Sequence, residues 1–145
     1  MRFLTFVTLP TAAALSVVIG CSSASPAAAP ETAAAQIERG GRAYGQYCAR
    51  CHGDAGQGSP KAPPVVGTGA LPLDPRPGQK RGSQFHNALD VAMFATKNMP
   101  PDADVRAKLS ASDYWAVLAF DLSANGIQLS APLSAENAAS FVLHP

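Results

Sequence analysis

Charged side chains are scarce in this chain of 145 residues, where Asp, Glu, Lys and Arg make up 14% against a usual share of about 25%. Eleven Lys and Arg nearly balance ten Asp and Glu, so no basic stripe points to nucleic acid and electrostatic steering toward a partner is weak. Alanine supplies much of the 47% hydrophobic content, which leaves few bulky core-forming side chains. A domain of about 100 residues buries only a modest share of its surface, and we expect an embedded cofactor to help fill its interior.

Cysteine is also scarce, and the three cysteines, Cys21, Cys48 and Cys51, are an odd number. In an exported protein an odd count requires an explanation for the remaining thiol. Cys48 and Cys51 lie together in one short motif. Cys21 therefore needs an explanation of its own.

The first twenty residues read as a secretory signal peptide. Arg2 is the only charge before Glu31, and residues 3–19 are apolar apart from threonine and serine, with one proline inside the run. The end of this segment, Val18-Ile19-Gly20-Cys21, resembles the lipobox of bacterial lipoproteins, which implies cleavage before Cys21 and lipidation of that residue. More than one acyl chain would anchor the protein stably on the periplasmic side of a bacterial membrane. An ordinary signal peptide or an uncleaved anchor, with Cys21 incidental, are the alternatives.

The remaining chain divides by composition and by the spacing of apolar residues. Residues 21–35 read as an Ala/Pro/Ser linker, residues 36–126 as the folded domain, and residues 127–145 as a tail packed on it, with a short helical turn near Ala135. Residues 53–82 are rich in Gly and Pro and are predicted to form a loop, which is long enough to wrap around a cofactor. Three helices are predicted, at residues 36–48, at residues 84–98 with Ser83 as N-cap, and at residues 111–124 with Ser110 or Ser112 as N-cap. The third has an apolar stripe formed by Trp115, Leu118, Ala119 and Leu122. The fold class is therefore all-α.

The motif Cys48-Ala49-Arg50-Cys51-His52 carries the chemistry. C-x-x-C-H is typical of c-type haem attachment, because two thiols three residues apart can each form a thioether with a porphyrin vinyl group. The adjacent His52 would then lie under the ring with Nε2 toward the iron. A thioredoxin-like pair would need a βαβ context, a zinc site would need more ligands, and a plain disulfide would leave His52 unexplained.

Met99 is the predicted second axial ligand of the iron. It follows the long loop and a helix, and the next residues, Pro100 and Pro101, end that helix and stiffen the backbone. Core filling is the more common role of a methionine. The weaker candidates for this ligand are Met93 in mid-helix, His86 in a first helical turn, and His144 near the C-terminus.

Together these residues resemble class I cytochrome c over about residues 36–125. The resemblance implies a cytochrome c fold, with three or more helices and long loops wrapped around one covalent haem c. It also implies that Gly40 and Tyr44 let the first and last helices cross closely. Phe120 or Trp115 on the last helix would then pack opposite them. In that family a proline carbonyl accepts a hydrogen bond from the ring of the ligand histidine. Pro63 and Pro64 both follow His52 at a suitable distance along the chain to be this proline.

If His52 and Met99 both bind the haem iron, no coordination position remains for a substrate. The sequence therefore predicts a one-electron carrier and not an enzyme. The alternatives are a haem enzyme or gas-binding protein with an open sixth site, and a haem subunit of a dehydrogenase or oxidase complex. We expect redox protein partners, membrane contact through the lipid and a monomeric chain. Two sets of residues complete the prediction: an apolar haem shell of Val65, Val66, Leu71, Leu89, Phe94 and Leu118, and solvated surface charges at Lys61, Arg76, Lys80, Arg81 and Lys97.

Overall fold

The structure is a computed structural model that describes residues 30–79 and 81–144. The predicted signal peptide, Cys21, Lys80 and most of the predicted linker lie outside the described residues. Within them there are helices and two isolated bridges but no β-strand, so the predicted all-α class is confirmed. No described helix has the length and apolar content to cross a membrane. The elements are α1 (Ala33–Tyr47), α2 (Ala49–His52), α3 (Ala88–Asn98), α4 (Ala103–Arg106), α5 (Ala111–Ala124) and a 3₁₀ turn (Ala138–Ser140).

Helix α1 begins at Ala33, three residues before the predicted start at Gln36. Thr32 is the N-cap, and its hydroxyl oxygen accepts a hydrogen bond of 3.1 Å from the Ala35 N–H. A threonine at this position satisfies one of the donors that a helix start leaves open. The last alanines of the predicted linker therefore form the first turn of α1.

The prediction that the next long helix begins at Gln84 behind a Ser83 cap is wrong. Asn87 caps α3 by accepting from the N–H groups of Leu89 and Asp90, and the Asp90 carboxylate accepts in return from the Asn87 N–H at 3.1 Å. This reciprocal capping box satisfies donors that a lone serine cannot reach. The end of α3 at Asn98 agrees with the prediction from the two following prolines.

The C-terminal tail lies against the segment that precedes α3. The N–H of Leu143 donates to the His86 carbonyl at 2.9 Å, and the N–H of Ala88 donates to the Phe141 carbonyl at 3.0 Å. His86 thus lies two residues before α3 begins and not in the first helical turn where it was expected. The helical turn expected near Ala135 is the 3₁₀ turn three residues further on.

A single buried side chain fixes the tail to α1. Gln36 is 3% exposed; its amide donates to the Leu133 carbonyl at 2.8 Å and accepts from the Leu133 N–H at 2.7 Å. Both backbone groups of Leu133 are therefore satisfied in the interior, where an unpaired group would be costly.

Helices α1 and α5 cross in close contact at Gly40. A Cβ atom at Gly40 would lie 1.8 Å from the Ala116 carbonyl oxygen and 3.1 Å from Phe120 Cβ. One turn later the rings of Tyr44 and Phe120 pack with centroids 5.3 Å apart. Of the two partners expected for Gly40, the structure places Phe120 there and not Trp115.

Helix α5 has the predicted bounds and the predicted buried stripe. Ser110 caps it in a second capping box, with Asp113 three residues later. Leu118, Ala119 and Leu122 are at most 4% exposed and pack with α3 and the tail. Trp115, the fourth residue of the expected stripe, is only partly buried at the edge of that cluster.

Replacing Gly40 by alanine is expected to lower the free energy of unfolding of the haem-loaded protein by about 3 kcal/mol, because the helices must move apart and the core is overpacked. Gly45 is the matched control on the same helix, since a Cβ there meets nothing within 4 Å. Gly45→Ala should raise the free energy of unfolding by about 0.5–1 kcal/mol through better helix propensity. Chemical denaturation measures both, and equal effects of the two substitutions would contradict the close crossing.

Candidate functional site

The motif from Cys48 to His52 forms one helical turn that continues from α1. Cys48 is the C-cap of α1, and its carbonyl accepts from the N–H groups of Cys51 and His52, both at 3.0 Å. Residues three and four apart lie on one face of a helix, and all three side chains line the same cavity. Neither cysteine forms a disulfide.

This cavity has a volume of about 480 Å³ and lies between the end of α1, the long loop, α3 and α5. Cofactor sites in proteins commonly have volumes of about 300–1,000 Å³ and apolar walls. Val65, Leu71 and Phe94 of the expected apolar shell line it. The other three members of that shell do not line it: Leu89 and Leu118 pack in the hydrophobic core, and Val66 lies beside Gly56 in the loop.

The imidazole of His52 is held by the loop that follows it. His52 Nδ1 lies 2.7 Å from the Pro63 carbonyl oxygen, and since a carbonyl cannot donate, Nδ1 carries the proton. Nε2 of the neutral ring then keeps its lone pair for a metal ion. The geometry thus distinguishes the two prolines that the sequence left open: Pro63 accepts this bond, and Pro64 only lines the cavity.

Met99 lines the same cavity, and its backbone is fixed on both sides. Its N–H donates to the Ala95 carbonyl at 2.8 Å, which closes α3, and its carbonyl accepts from the Tyr114 hydroxyl at 2.7 Å. The next carbonyl, that of Pro100, accepts from Arg106 at 2.7 Å. The sequence pointed to proline stiffening here, and it gave no sign of the two hydrogen bonds from distant residues.

The weaker ligand candidates lie away from the cavity. Met93 is 55% exposed, His86 is exposed ahead of α3, and His144 is exposed with Nε2 2.9 Å from the Leu71 carbonyl oxygen. Among the described histidines and methionines, only His52 and Met99 line the cavity.

Buried polar groups surround the first thiol. The Tyr44 hydroxyl donates to the Gly53 carbonyl at 2.7 Å, and burial, with a smaller contribution from Asp121, raises the pKa of Tyr44. Burial, and then the charges of Asp121 and Cys51, raise the pKa of the Cys48 thiol to about 12. A thiol protonated at neutral pH does not fit a thioredoxin-like redox pair, which works through a stabilised thiolate.

Three cationic residues expected on a solvated surface line the cavity: Lys61, which is exposed as predicted, and Arg76 and Arg81, which are half-buried. The Arg81 guanidinium lies 3.6 Å from the centroid of the Phe85 ring and donates to the Pro72 carbonyl at 2.9 Å. Burial lowers the pKa of Arg81, yet an arginine stays charged. The prediction was wrong for Arg76 and Arg81 because these charges are spread along the sequence, and only the folded loop brings them together. Lys97 lies away from the cavity, as expected for a surface charge.

The donors around the cavity fit a haem of the c type. They comprise two unbridged thiols, an imidazole nitrogen with a lone pair, a thioether sulfur and cationic groups at the end of a largely apolar space. Sulfur and imidazole are the ligands that iron takes in cytochromes.

Comparison with known proteins agrees with this chemistry. The family described as cytochrome c oxidase, cbb3-type, subunit III matches residues 35–120. The crystal structure of the sulfane dehydrogenase SoxCD from Paracoccus pantotrophus contains a chain that is 30% identical to this one, with a TM-score of 0.53. The alignment covers 74% of this chain and 52% of that one, so this chain spans about half the length of that relative. The comparison with curated proteins gave no match.

The family match extends over more than half of the chain and includes both the C-x-x-C-H motif and Met99. The structural likeness supports the same cytochrome c fold. The chain therefore belongs to the family of cbb3-type cytochrome c oxidase subunit III, and it is a c-type cytochrome domain that binds haem c and transfers electrons.

Proposed function

We propose that the chain is a one-electron carrier with a single haem, attached through Cys48 and Cys51 and ligated at the iron by His52 and Met99. The observation that carries the proposal is that these four side chains line one cavity. When bound, the haem supplies an iron that alternates between the ferric and ferrous states by one electron.

His52 and Met99 have different tasks in this proposal. Pro63 orients the His52 ring and increases its basicity through the bond at Nδ1, which favours the ferric state. The Met99 sulfur is a soft ligand that favours the ferrous state and raises the reduction potential. Because His52 and Met99 would both hold the iron, no position on it would remain open to oxygen or to substrates.

The two arginines in the cavity are proposed to bind the haem carboxylates. Arg76 and Arg81 come from the long loop, and both donate to backbone carbonyls that hold their side chains in place. Arginine suits this task because its planar guanidinium can bind a carboxylate through two parallel hydrogen bonds. The loop would then be ordered by the cofactor that it covers.

The partner is proposed to be a larger oxidoreductase. The names of the matching family and of the solved relative refer to an oxidase subunit and to a dehydrogenase, which favours a carrier that works in or beside such a complex. We also propose that Cys21 is lipidated after removal of residues 1–20, so that a monomeric domain is held at the periplasmic face of a membrane.

Absorption and electron paramagnetic resonance spectra of the full chain, matured in a host that attaches haem, test the proposed ligation. We expect low-spin spectra in both oxidation states and no rapid binding of carbon monoxide to the ferrous protein, because Met99 occupies the sixth position. A high-spin ferric spectrum or rapid carbon monoxide binding would contradict the proposal and favour a haem enzyme or a gas-binding protein.

A further inference from the structure

Helix α5 presents a carboxyl group to the same cavity. Tyr114, Val117 and Asp121 follow each other at intervals of three and four residues and all line the cavity. Asp121 is only 8% exposed. Its Oδ1 atom is buried and has no hydrogen-bond partner among the described residues, so nothing in the fold explains why this site holds an acid.

A charged carboxylate at this place would be expensive. No described Lys, Arg or His approaches Asp121 within ion-pair distance, and an isolated buried charge usually shifts its pKa and becomes neutral. Burial accordingly raises the pKa of Asp121 well above its ordinary value. Burial therefore favours the protonated, neutral form of Asp121 over the carboxylate.

The ionisable groups that face Asp121 do not compensate its charge. From α1 these are the Tyr44 hydroxyl and the Cys48 sulfur, of which the second would be a thioether in the mature protein. Helix α3 contributes no ionisable group to the cavity wall. The others that line the cavity are Cys51, which would also be a thioether in the mature protein, and His52, Lys61, Arg76, Arg81 and Tyr114.

We propose that Asp121 is a proton site coupled to the electron: when the iron accepts one electron, the Asp121 carboxylate takes up one proton from solvent, and both leave together on oxidation. This inference rests on the proposed function, which supplies the iron and the redox partner. The charge in the cavity then stays constant, because the electron adds one negative charge and the proton removes one. In a space of low dielectric such compensation is strongly favoured.

The coupling fixes the sign of a pH effect. A ferric centre carries one more positive charge than a ferrous one, so the pKa of Asp121 is lower in the oxidised protein than in the reduced protein. Between those two pKa values the midpoint potential falls as pH rises. The limiting slope is about 59 mV per tenfold change in proton concentration, the constant for a one-electron couple.

Redox titration of the full-length haem protein over a series of pH values tests the proposal. Asp121→Asn keeps the shape of the side chain and removes the titrating proton. Asp54→Asn is the matched control, because Asp54 is exposed and its charge, like that of Asp121, raises the pKa of Tyr44. We expect a sloping potential in the wild type and in Asp54→Asn, and a flat one in Asp121→Asn that meets the wild-type value at low pH and lies above it at high pH.

A slope that survives in Asp121→Asn would overturn the proposal, since the proton would then bind elsewhere, for example on a haem carboxylate. An infrared difference spectrum between the oxidised and reduced wild type gives a second test. A protonated carboxyl band should grow on reduction and shift in deuterium oxide, and its absence would also overturn the proposal. A low-spin wild type whose midpoint potential does not change with pH would contradict only the proton coupling. A wild type that lacks the low-spin spectrum expected for ligation by His52 and Met99 would contradict the proposed function as well.

Discussion

Replacing Cys48 and Cys51 together by serine is expected to abolish the mature red protein. A serine hydroxyl does not form the thioether that each thiol would form, so the cofactor would be held by coordination alone and lost. An apolar cavity left in a folded core costs about 24 cal/mol per Å³. The emptied space of about 480 Å³ would therefore lower the stability of the fold, although collapse of the loop and entry of water reduce the loss.

The measurement is haem that stays with the chain after denaturation, together with the yield of folded protein. Cys21→Ser is the matched control, because it removes the third cysteine outside the domain. That variant should keep its full haem content and should leave the membrane fraction if Cys21 is lipidated. Covalent haem at the wild-type level in the double variant would contradict attachment through the motif.

Replacing Met99 by alanine has the second largest expected effect, and here the fold should survive. The hydrogen bonds that fix this turn run from Tyr114 and Arg106 to main-chain oxygens, so they do not depend on the Met99 side chain. The cofactor should remain attached while the iron loses its sixth ligand. We expect a high-spin ferric spectrum, rapid carbon monoxide binding and a midpoint potential lower by on the order of 0.1 V, within the range of about 0.8 V that axial ligands span.

Met93→Ala is the control for this substitution. Met93 is 55% exposed on α3 and lies outside the haem cavity, so its loss should change neither the spectrum nor the potential. An unchanged optical spectrum, spin state and potential in Met99→Ala would remove the basis for the electron-carrier assignment.

Local signals allowed much of this molecule to be predicted from its sequence. The bounds of α5 follow from a capping residue and an uninterrupted apolar stripe, and the end of α3 follows from two prolines. The start of α3 could not be decided in the same way, because Ser83 and Asn87 are both good N-caps. Asn87 has Asp90 three residues later, and this second signal, typical of a capping box, favours Asn87.

Features of the site that depend on the folded loop could not be read from the sequence. Pro63 and Pro64 are adjacent, and only the path of the backbone brings one carbonyl to His52 Nδ1. Arg76 and Arg81 enter the cavity because the loop turns back over it. Asp121 differs from these residues, because the spacing of Tyr114 and Asp121 along α5 already places them on one face of the helix, apart from the apolar stripe.

The methyl resonances of the methionines in the ferrous haem protein test the central claim most directly. The chain has three methionines, at positions 1, 93 and 99, and a methyl group bound at low-spin ferrous iron lies in the ring current of the porphyrin, which shifts its signal far upfield. With methyl-labelled methionine, the account predicts one strongly upfield signal that disappears in Met99→Ala and persists in Met93→Ala. A spectrum without such a signal, or one in which it disappears with Met93, would contradict ligation by Met99.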